Sequence, residues 1–206
     1  MQNFYLNMVA NESFLNSAVL RDSIVSHAKT LNYLPQSRSS SVSRIKLSIT
    51  PNDTPALITI PRYTSFSTTI DSKSYTFSTD EGITIAADSE GNYEANNIAI
   101  HEGEVITELF TVNSSNTDQR FVLNNKEIDT DSLVVKVIKS STDTANAEWT
   151  KNLTTIGIDG NSNTYFIVPA ESQKYEIQFG DGILGKKLEN NNIIQATYRK
   201  SSADAS

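Results

Sequence analysis

Cysteine is absent from this 206-residue chain, which removes disulfides, thiol nucleophiles and most structural zinc sites together and fits folding in a reducing compartment. Histidine is nearly absent, with only His27 and His101. No apolar run approaches the ~20 residues that a membrane-spanning helix needs. Met1 to Asn7 also lacks the basic start and long apolar stretch of a secretory signal. Neither a membrane partner nor secretion is therefore expected, and the Asn-x-Ser/Thr tripeptides at Asn11, Asn52, Asn113 and Asn152 read as turn chemistry. Cations are in the minority, with 17 Lys and Arg against 24 Asp and Glu and a net charge of -7. Neutralising phosphates takes clustered Lys and Arg. The groupings here are Arg38 with Arg44 and Lys46, and Lys186-Lys187 with Arg199-Lys200, small enough to be solvated faces, so no nucleic-acid partner is expected. Glycine and proline are scarce, at 8 and 5, and the charge is mixed, which argues against general disorder.

What is present is a 37% hydrophobic chain, enough for one large domain or two small ones with cores of their own. Early in the chain the apolar residues fall at helical spacing, Tyr5, Met8, Val9 and Leu15 in one segment and Leu20, Ile24, Ala28 and Leu31 in another. Asn16-Ser17 reads as the cap of the second segment, and Pro35 forces the helical part to end ahead of it. The serine-rich stretch 36–43 is a connector, and beyond it the sequence reads as β. Strands are expected over 42–49, 56–66 with a break at Pro61, 75–79, 83–86, 93–100 and 105–112, then over 120–123, 133–138, 148–153, 165–168, 175–179 and 193–198. Polar turns separate them, and residues 201–206 read as a frayed end or the start of a linker. The fold class expected is α+β, mainly antiparallel β with a short N-terminal helical segment of two helices or one bent helix. Three regions follow: residues 1–35 helical, 36–112 a first β region, and 113–206 a second β region.

Chemistry-bearing constellations are few. His27 and His101 lie on different elements with no serine or carboxylate spaced to complete a triad. Asp129-Thr130-Asp131 offers paired carboxylates but reads as a capped turn opening the strand at Leu133. Asp159-Gly160-Asn161-Ser162-Asn163 has the alternating oxygens of a calcium loop. Its sixth position is Thr164 in place of glycine and its twelfth is Ala170 in place of glutamate, which argues against calcium. No catalytic residue, metal, cofactor or small-molecule substrate is expected.

The most distinctive stretch is Tyr175-Glu176-Ile177-Gln178-Phe179-Gly180-Asp181-Gly182-Ile183-Leu184-Gly185-Lys186-Lys187-Leu188. It reads as a strand, with Tyr175, Ile177 and Phe179 on one face, entering a glycine-rich reversal. The spacing of Gly180, Gly182 and Gly185 matches a dinucleotide fingerprint only if a helix follows, and the polar Glu189-Asn190-Asn191-Asn192 follows instead. Phe179, Gly180, Asp181, Gly182 and Gly185 are therefore read as a structural turn, with Asp181 bonding its own backbone.

Taken together, several of these stretches resemble the baseplate wedge subunit of contractile-tailed bacteriophages, within the broader baseplate J-like family. The resemblance runs from Asn3-Phe4-Tyr5-Leu6-Asn7-Met8-Val9-Ala10-Asn11-Glu12-Ser13-Phe14-Leu15 and residues 20–29, through Ile58-Thr59-Ile60-Pro61, Gly91-Asn92-Tyr93 and Ile100-His101-Glu102-Gly103, to residues 116–121, 129–137 and 175–188. These stretches are collinear with the family, and the Phe-Gly-Asp-Gly turn with Gly185 is the most telling. Tyr63 stands where the family carries a glycine, so a less free turn is expected there. Related subunits extend by a helical segment upstream and several hundred residues downstream, so the chain is expected to be a fragment, a split product or a short homologue. The resemblance implies a structural virion protein, made late and assembled in the host bacterial cytoplasm into the tail baseplate, without enzymatic activity. Its implied partners are a second copy of itself and other baseplate wedge subunits. Tyr5, Met8, Leu15, Leu20, Ile24 and Leu31 are the expected interface residues, meeting partner helices in a bundle. A receptor-binding or adhesin-type β module of a phage tail is the competing expectation, and it requires aromatic side chains exposed in loops.

Overall fold

The structure, a computed structural model, describes residues 2–30 and 34–202. The sequence-predicted interface residue Leu31 and the end of the polar tail, 203–206, lie outside the described residues. The chain is mainly antiparallel β with two short helices, as the hydrophobic periodicity predicts. Helix α1 is Gln2–Glu12 and α2 is Arg21–Thr30. Residues divide into two compact units that are not consecutive in sequence: 37–106 with 127–133 and the chain from Tyr198 form one, and 1–36, 107–126 and 134–197 form the other. The limits between the units fall after Gln36, Ile106, Lys126, Leu133 and Thr197. A cut by composition divides the chain into consecutive pieces, whereas strand pairing gathers residues far apart in sequence.

The unit built on residues 37–106 carries strands β1 (Val42–Ile49), β2 (Leu57–Ile60), β3 (Ser65–Ile70), β4 (Lys73–Thr79), β5 (Ile83–Ala86) and β6 (Tyr93–Glu102). An antiparallel sheet runs in the order β1-β6-β4-β3, and β2 pairs with β5. The β3–β4 hairpin closes on Asp71 and Ser72, both at positive φ (49° and 66°) between the paired Ile70 and Lys73. That is the backbone a two-residue turn needs to match strand twist. Ile60, Ile85 and Tyr93 form a buried core, with Leu47, Ile49, Ile58, Ile83 and Ala95 packed against it. The buried Tyr93 donates its hydroxyl to the Pro55 carbonyl, so the ring is apolar at one end and satisfied at the other. Tyr63 takes the left-handed conformation, φ 65°, that glycine favours, and the Arg62 guanidinium lies 4.6 Å from its ring centroid.

Two expectations about this unit are corrected. Asp129-Thr130-Asp131 is not a turn before Leu133; it belongs to a longer strand, β9 (Ile128–Ile138). The serine-rich connector supplies the reason. Asp129 accepts the Ser40 N–H at 3.0 Å and the Ser37 hydroxyl accepts the Thr130 N–H at 3.1 Å, so polar residues inside the strand are satisfied while buried. Nor does the tail fray from residue 201. Buried Glu102 accepts hydroxyl hydrogen bonds from Ser201 and Ser202, each at 2.7 Å.

The remaining strands are β7 (Glu104–Thr111), β8 (Phe121–Val122), β10 (Asn146–Lys151), β11 (Thr164–Pro169), β12 (Tyr175–Phe179) and β13 (Ile193–Lys200), with a 3-10 turn at Glu171–Gln173. They and β9 form a sheet in the order β7-β13-β9-β10-β11-β12-β8, in which β10 and β11 run parallel. Leu123, Val135, Trp149, Tyr165, Tyr175, Ile177 and Ile194 are buried. Edge-to-face contacts link Phe110, Phe121, Phe179 and Trp149 in succession, with centroids 5.9, 5.7 and 5.2 Å apart. Each such pair contributes about 0.5–1.5 kcal/mol beyond burial. Of the strand aromatics expected in cores, Tyr93 and Tyr175 are buried, and Tyr75, Phe77, Phe121, Phe166 and Phe179 are half-buried.

Candidate functional site: an apolar helical surface and a glycine-rich turn

Helix α1 has neutral amide and apolar side chains along its length, and its only charged residue is Glu12 at the end. The chain then turns through Phe14 and Ala18, and α2 opens at Arg21 with Asp22 in its first turn, where an acid complements the helix dipole. The expected cap at Asn16-Ser17 is not formed. Ser17 donates its hydroxyl to the Asn11 carbonyl at 2.7 Å, and Glu12 takes over the entry to α2. Its carboxylate accepts the N–H groups of Val19 (3.0 Å) and Leu20 (3.2 Å), and its carbonyl lies 2.9 Å from His27 Nε2. The Ser23 hydroxyl first, and the Val19 N–H next, hold the Glu12 carboxyl below the usual glutamate value. His27, isolated in the sequence, thus serves as a tie between the helices.

The opposite end of this segment is held to the sheet. Helix α2 packs on β11 and the 3-10 turn, where Val25, Pro35, Pro169, Ala170 and Tyr175 meet. Ala28 is buried and Val25 half-buried, whereas most of the large apolar side chains described in the helical segment are exposed. Tyr5, Met8, Leu15, Leu20 and Ile24, five of the six expected interface residues, are exposed by 38–61%. Val9, at the same helical spacing as Tyr5 and Met8, and Leu6, Phe14 and Val19, which that spacing does not select, are more exposed still, at 65–82%. The exposed apolar side chains therefore spread over α1 and the connection to α2, wider than the stripe of a helix packed on one neighbour.

The glycine-rich turn lies at the far end of β12 and is built against the loop at 159–163. Gly185 donates its N–H to the Asp159 carbonyl (3.0 Å), Lys186 to the Ser162 carbonyl (2.9 Å), and Gly182 to the Gly185 carbonyl (3.0 Å). The backbones approach so closely that a Cβ on Gly160 would stand 2.2 Å from the Gly182 oxygen, and one on Gly180 2.1 Å from the Gly185 carbonyl. Gly182 and Gly185 also hold φ at 96° and 92°. Here glycine is required by contact at Gly180 and by both contact and conformation at Gly185.

The acids of the turn and of the 159–163 loop are engaged in this geometry. Asp181 accepts the N–H groups of Ile183 (2.8 Å) and Leu184 (2.9 Å), which hold its carboxyl below the usual aspartate value, Leu184 acting most strongly. Asp159 accepts the Ser162 hydroxyl (2.8 Å) and the Asn161 N–H (2.9 Å), and is lowered by them in that order. A general acid working near neutral pH needs a shift in the other direction. His101, on β6, has Nε2 3.1 Å from Asp80, whose other oxygen accepts Arg199. Among the described residues no group of three His, Asp or Glu side chains is placed to hold a metal ion. No helix among them is long and apolar enough to cross a membrane. No family model matches the chain, and no curated protein sequence matches it.

Proposed function

We propose that this chain is a structural subunit of the baseplate wedge of a contractile bacteriophage tail, in which the helical segment clasps a second copy and neighbouring wedge subunits. The observation that carries this reading is the apolar surface of α1, its connection to α2 and the first turn of α2, where nine large side chains from Tyr5 to Ile24 are more than a third exposed. Contiguous apolar surface of this kind marks a protein-protein contact. Helices of 11 and 10 residues are also too short to be stable by propensity alone, so packing must stabilise them. The collinear sequence resemblance supplies the identity of the assembly.

Magnitudes limit what the surface does alone. Completing the burial of a partly covered Leu or Val contributes on the order of 1 kcal/mol. Nine such side chains on each of two copies give at most on the order of 20 kcal/mol, and about half that where a self-dimer covers half of them, against an association cost of roughly 4–15 kcal/mol. A self-dimer that covers only part of this surface is therefore weak, and firm assembly draws on the other wedge subunits as well. The receptor-binding alternative requires exposed aromatics in β loops. The strongly exposed large side chains of those loops are aliphatic: Leu153, Ile156, Ile183 and Leu184.

Sedimentation across a concentration series, with and without co-expressed wedge subunits, tests the reading. Reversible self-association and co-assembly are expected, both lost in Leu6→Glu/Val9→Glu while the β-sheet circular dichroism is retained. A wild-type chain that stays monomeric at high concentration and captures no wedge subunit refutes the reading.

A further inference from the structure

The face of β9 and β10 carries a second surface, a groove of about 300 Å³. Antiparallel pairing sets Val137 opposite Ala147 and Val135 opposite Trp149, and Lys139 donates its N–H to the Ala145 carbonyl. Alternate residues share a face, so Ala145, Ala147 and Trp149 line up with Val137 along the strand direction. Two alanines in that row leave the floor low. The wall is the segment after the glycine-rich turn, which presents Lys186 and Lys187.

Floor and wall are fixed before anything binds. Buried Asn192 donates to the Lys139 carbonyl (2.9 Å) and accepts the Glu189 N–H (2.8 Å), and the Lys186 N–H is held by Ser162. Such preorganisation lowers the ordering cost of binding. The lining carries three lysines against one glutamate, in a chain whose net charge is -7. Lys139 is committed to Asp143 at 2.8 Å, whereas Lys186 and Lys187 make no ion pair with a carboxylate among the described residues; the charge of Lys187 reaches Asp181 only as the least of the influences that lower that carboxyl.

We propose that this groove is a docking site for an extended acidic segment of a partner protein, its backbone lying over Ala145 and Ala147 and its carboxylates meeting Lys186 and Lys187. Lysines are point charges that attract carboxylate and phosphate alike. Trp149, only 6% exposed, offers no free face for stacking a base, which favours carboxylates on a peptide over a nucleic acid. The site lies on the sheet and does not depend on the helical surface, so its failure leaves the wedge reading standing.

Trp149 is the sole tryptophan of the chain, so its fluorescence reports occupancy directly. The probe is a short capped peptide of alternating glutamate and alanine, with glutamine-alanine and lysine-alanine peptides of equal length as controls and inorganic phosphate as a competitor. Saturable change of Trp149 emission is expected with the acidic peptide alone, weakening as salt is raised. Lys186→Glu/Lys187→Glu, a change at two exposed positions, is expected to weaken binding about tenfold or more. Labelled-peptide anisotropy on the same variant guards against a silent fluorophore. Equal binding of the glutamine peptide, displacement by phosphate at low concentration, unchanged affinity in the double variant, or no saturation by either signal overturns the proposal.

Discussion

Replacing Gly180 by alanine isolates the close approach of the glycine-rich turn from its dihedral demands, because Gly180 does not sit at positive φ. The added Cβ meets the carbonyl carbon and oxygen of Gly185 at 2.1 Å, where ordinary contact begins at 3.4 Å. Both colliding atoms belong to backbone, so no side chain is able to rotate away. Relief requires the turn to open by more than an ångström, against the Gly182–Gly185 and Gly185–Asp159 hydrogen bonds. Overpacking costs ~1–3 kcal/mol, and each weakened hydrogen bond adds about 0.5–1.5 kcal/mol. A destabilisation of about 3 kcal/mol follows, or roughly 6–12 °C in melting temperature for a chain of this size. The assay is thermal unfolding followed by Trp149 fluorescence, since Trp149 belongs to the same compact unit as the turn. Gly157→Ala is the comparison: its φ is 78° with nothing within 4 Å of the new Cβ. It isolates the conformational penalty, about 1–2 kcal/mol. A Gly180→Ala transition within about a degree of wild type, or a larger shift for Gly157→Ala, refutes the reasoning.

Asp80→Ala is expected to destabilise by about 3 kcal/mol and Arg199→Met by about 1 kcal/mol. The first leaves the guanidinium of Arg199, 2% exposed, with Ser78 but without its carboxylate, whereas the second leaves a carboxylate that is 40% exposed and hydrated. Urea unfolding of both variants checks the order, and equal costs contradict it. Glu12 carries a pH dependence of definite sign. Its folded value is depressed, so its stabilisation is complete above the ordinary glutamate value of ~4.3 and is lost as pH falls through the lower folded value. Hydrogen exchange at the Val19 and Leu20 amides should accelerate in that acid range relative to β-sheet amides, and Glu12→Gln should remove the dependence; insensitivity in wild type counts against the assigned role.

Many strands were legible because apolar and polar residues alternate along them, as in β1 and in the sequence of β12; β3, with its run Ser-Thr-Thr, does not alternate, and the expected strand 56–66 reaches only its first two residues. Polar residues that become buried were not legible. Asp129 and Thr130 look like turn formers until Ser37 and Ser40, far away in sequence, supply their hydrogen bonds. The same reason hid the roles of Ser201 and Ser202, which as small polar residues at a terminus give no local sign of Glu102. The breadth of the helical surface was underestimated because a 3.6-residue period selects one stripe, while Leu6, Phe14 and Val19 lie off it. A signal was available in the near absence of charge from Gln2 to Ala10. The lysine-rimmed groove had no signal beyond Lys186-Lys187, since its floor comes from two alanines that only pairing of β9 with β10 brings opposite the turn.

A division of chemical labour connects these observations to function. Asp159 and Asp181 spend their oxygens on neighbouring N–H and hydroxyl groups of the loops that hold them. Glu102, Asp129 and Asp80 spend theirs on Ser201, Ser40 and Arg199. A carboxylate so engaged stiffens a loop or a strand end, and releasing it to bind or react would cost the hydrogen bonds it makes. Among the groups left with unspent capacity are the apolar side chains of α1 and its connection and the ammonium groups of Lys186 and Lys187. Neither kind converts a substrate by itself, and both stabilise contact with another chain, the first without directional preference and the second with a preference for negative charge. A polypeptide whose β framework uses its own polar chemistry internally, and presents apolar helices and a cationic groove outward, is suited to hold neighbours in place.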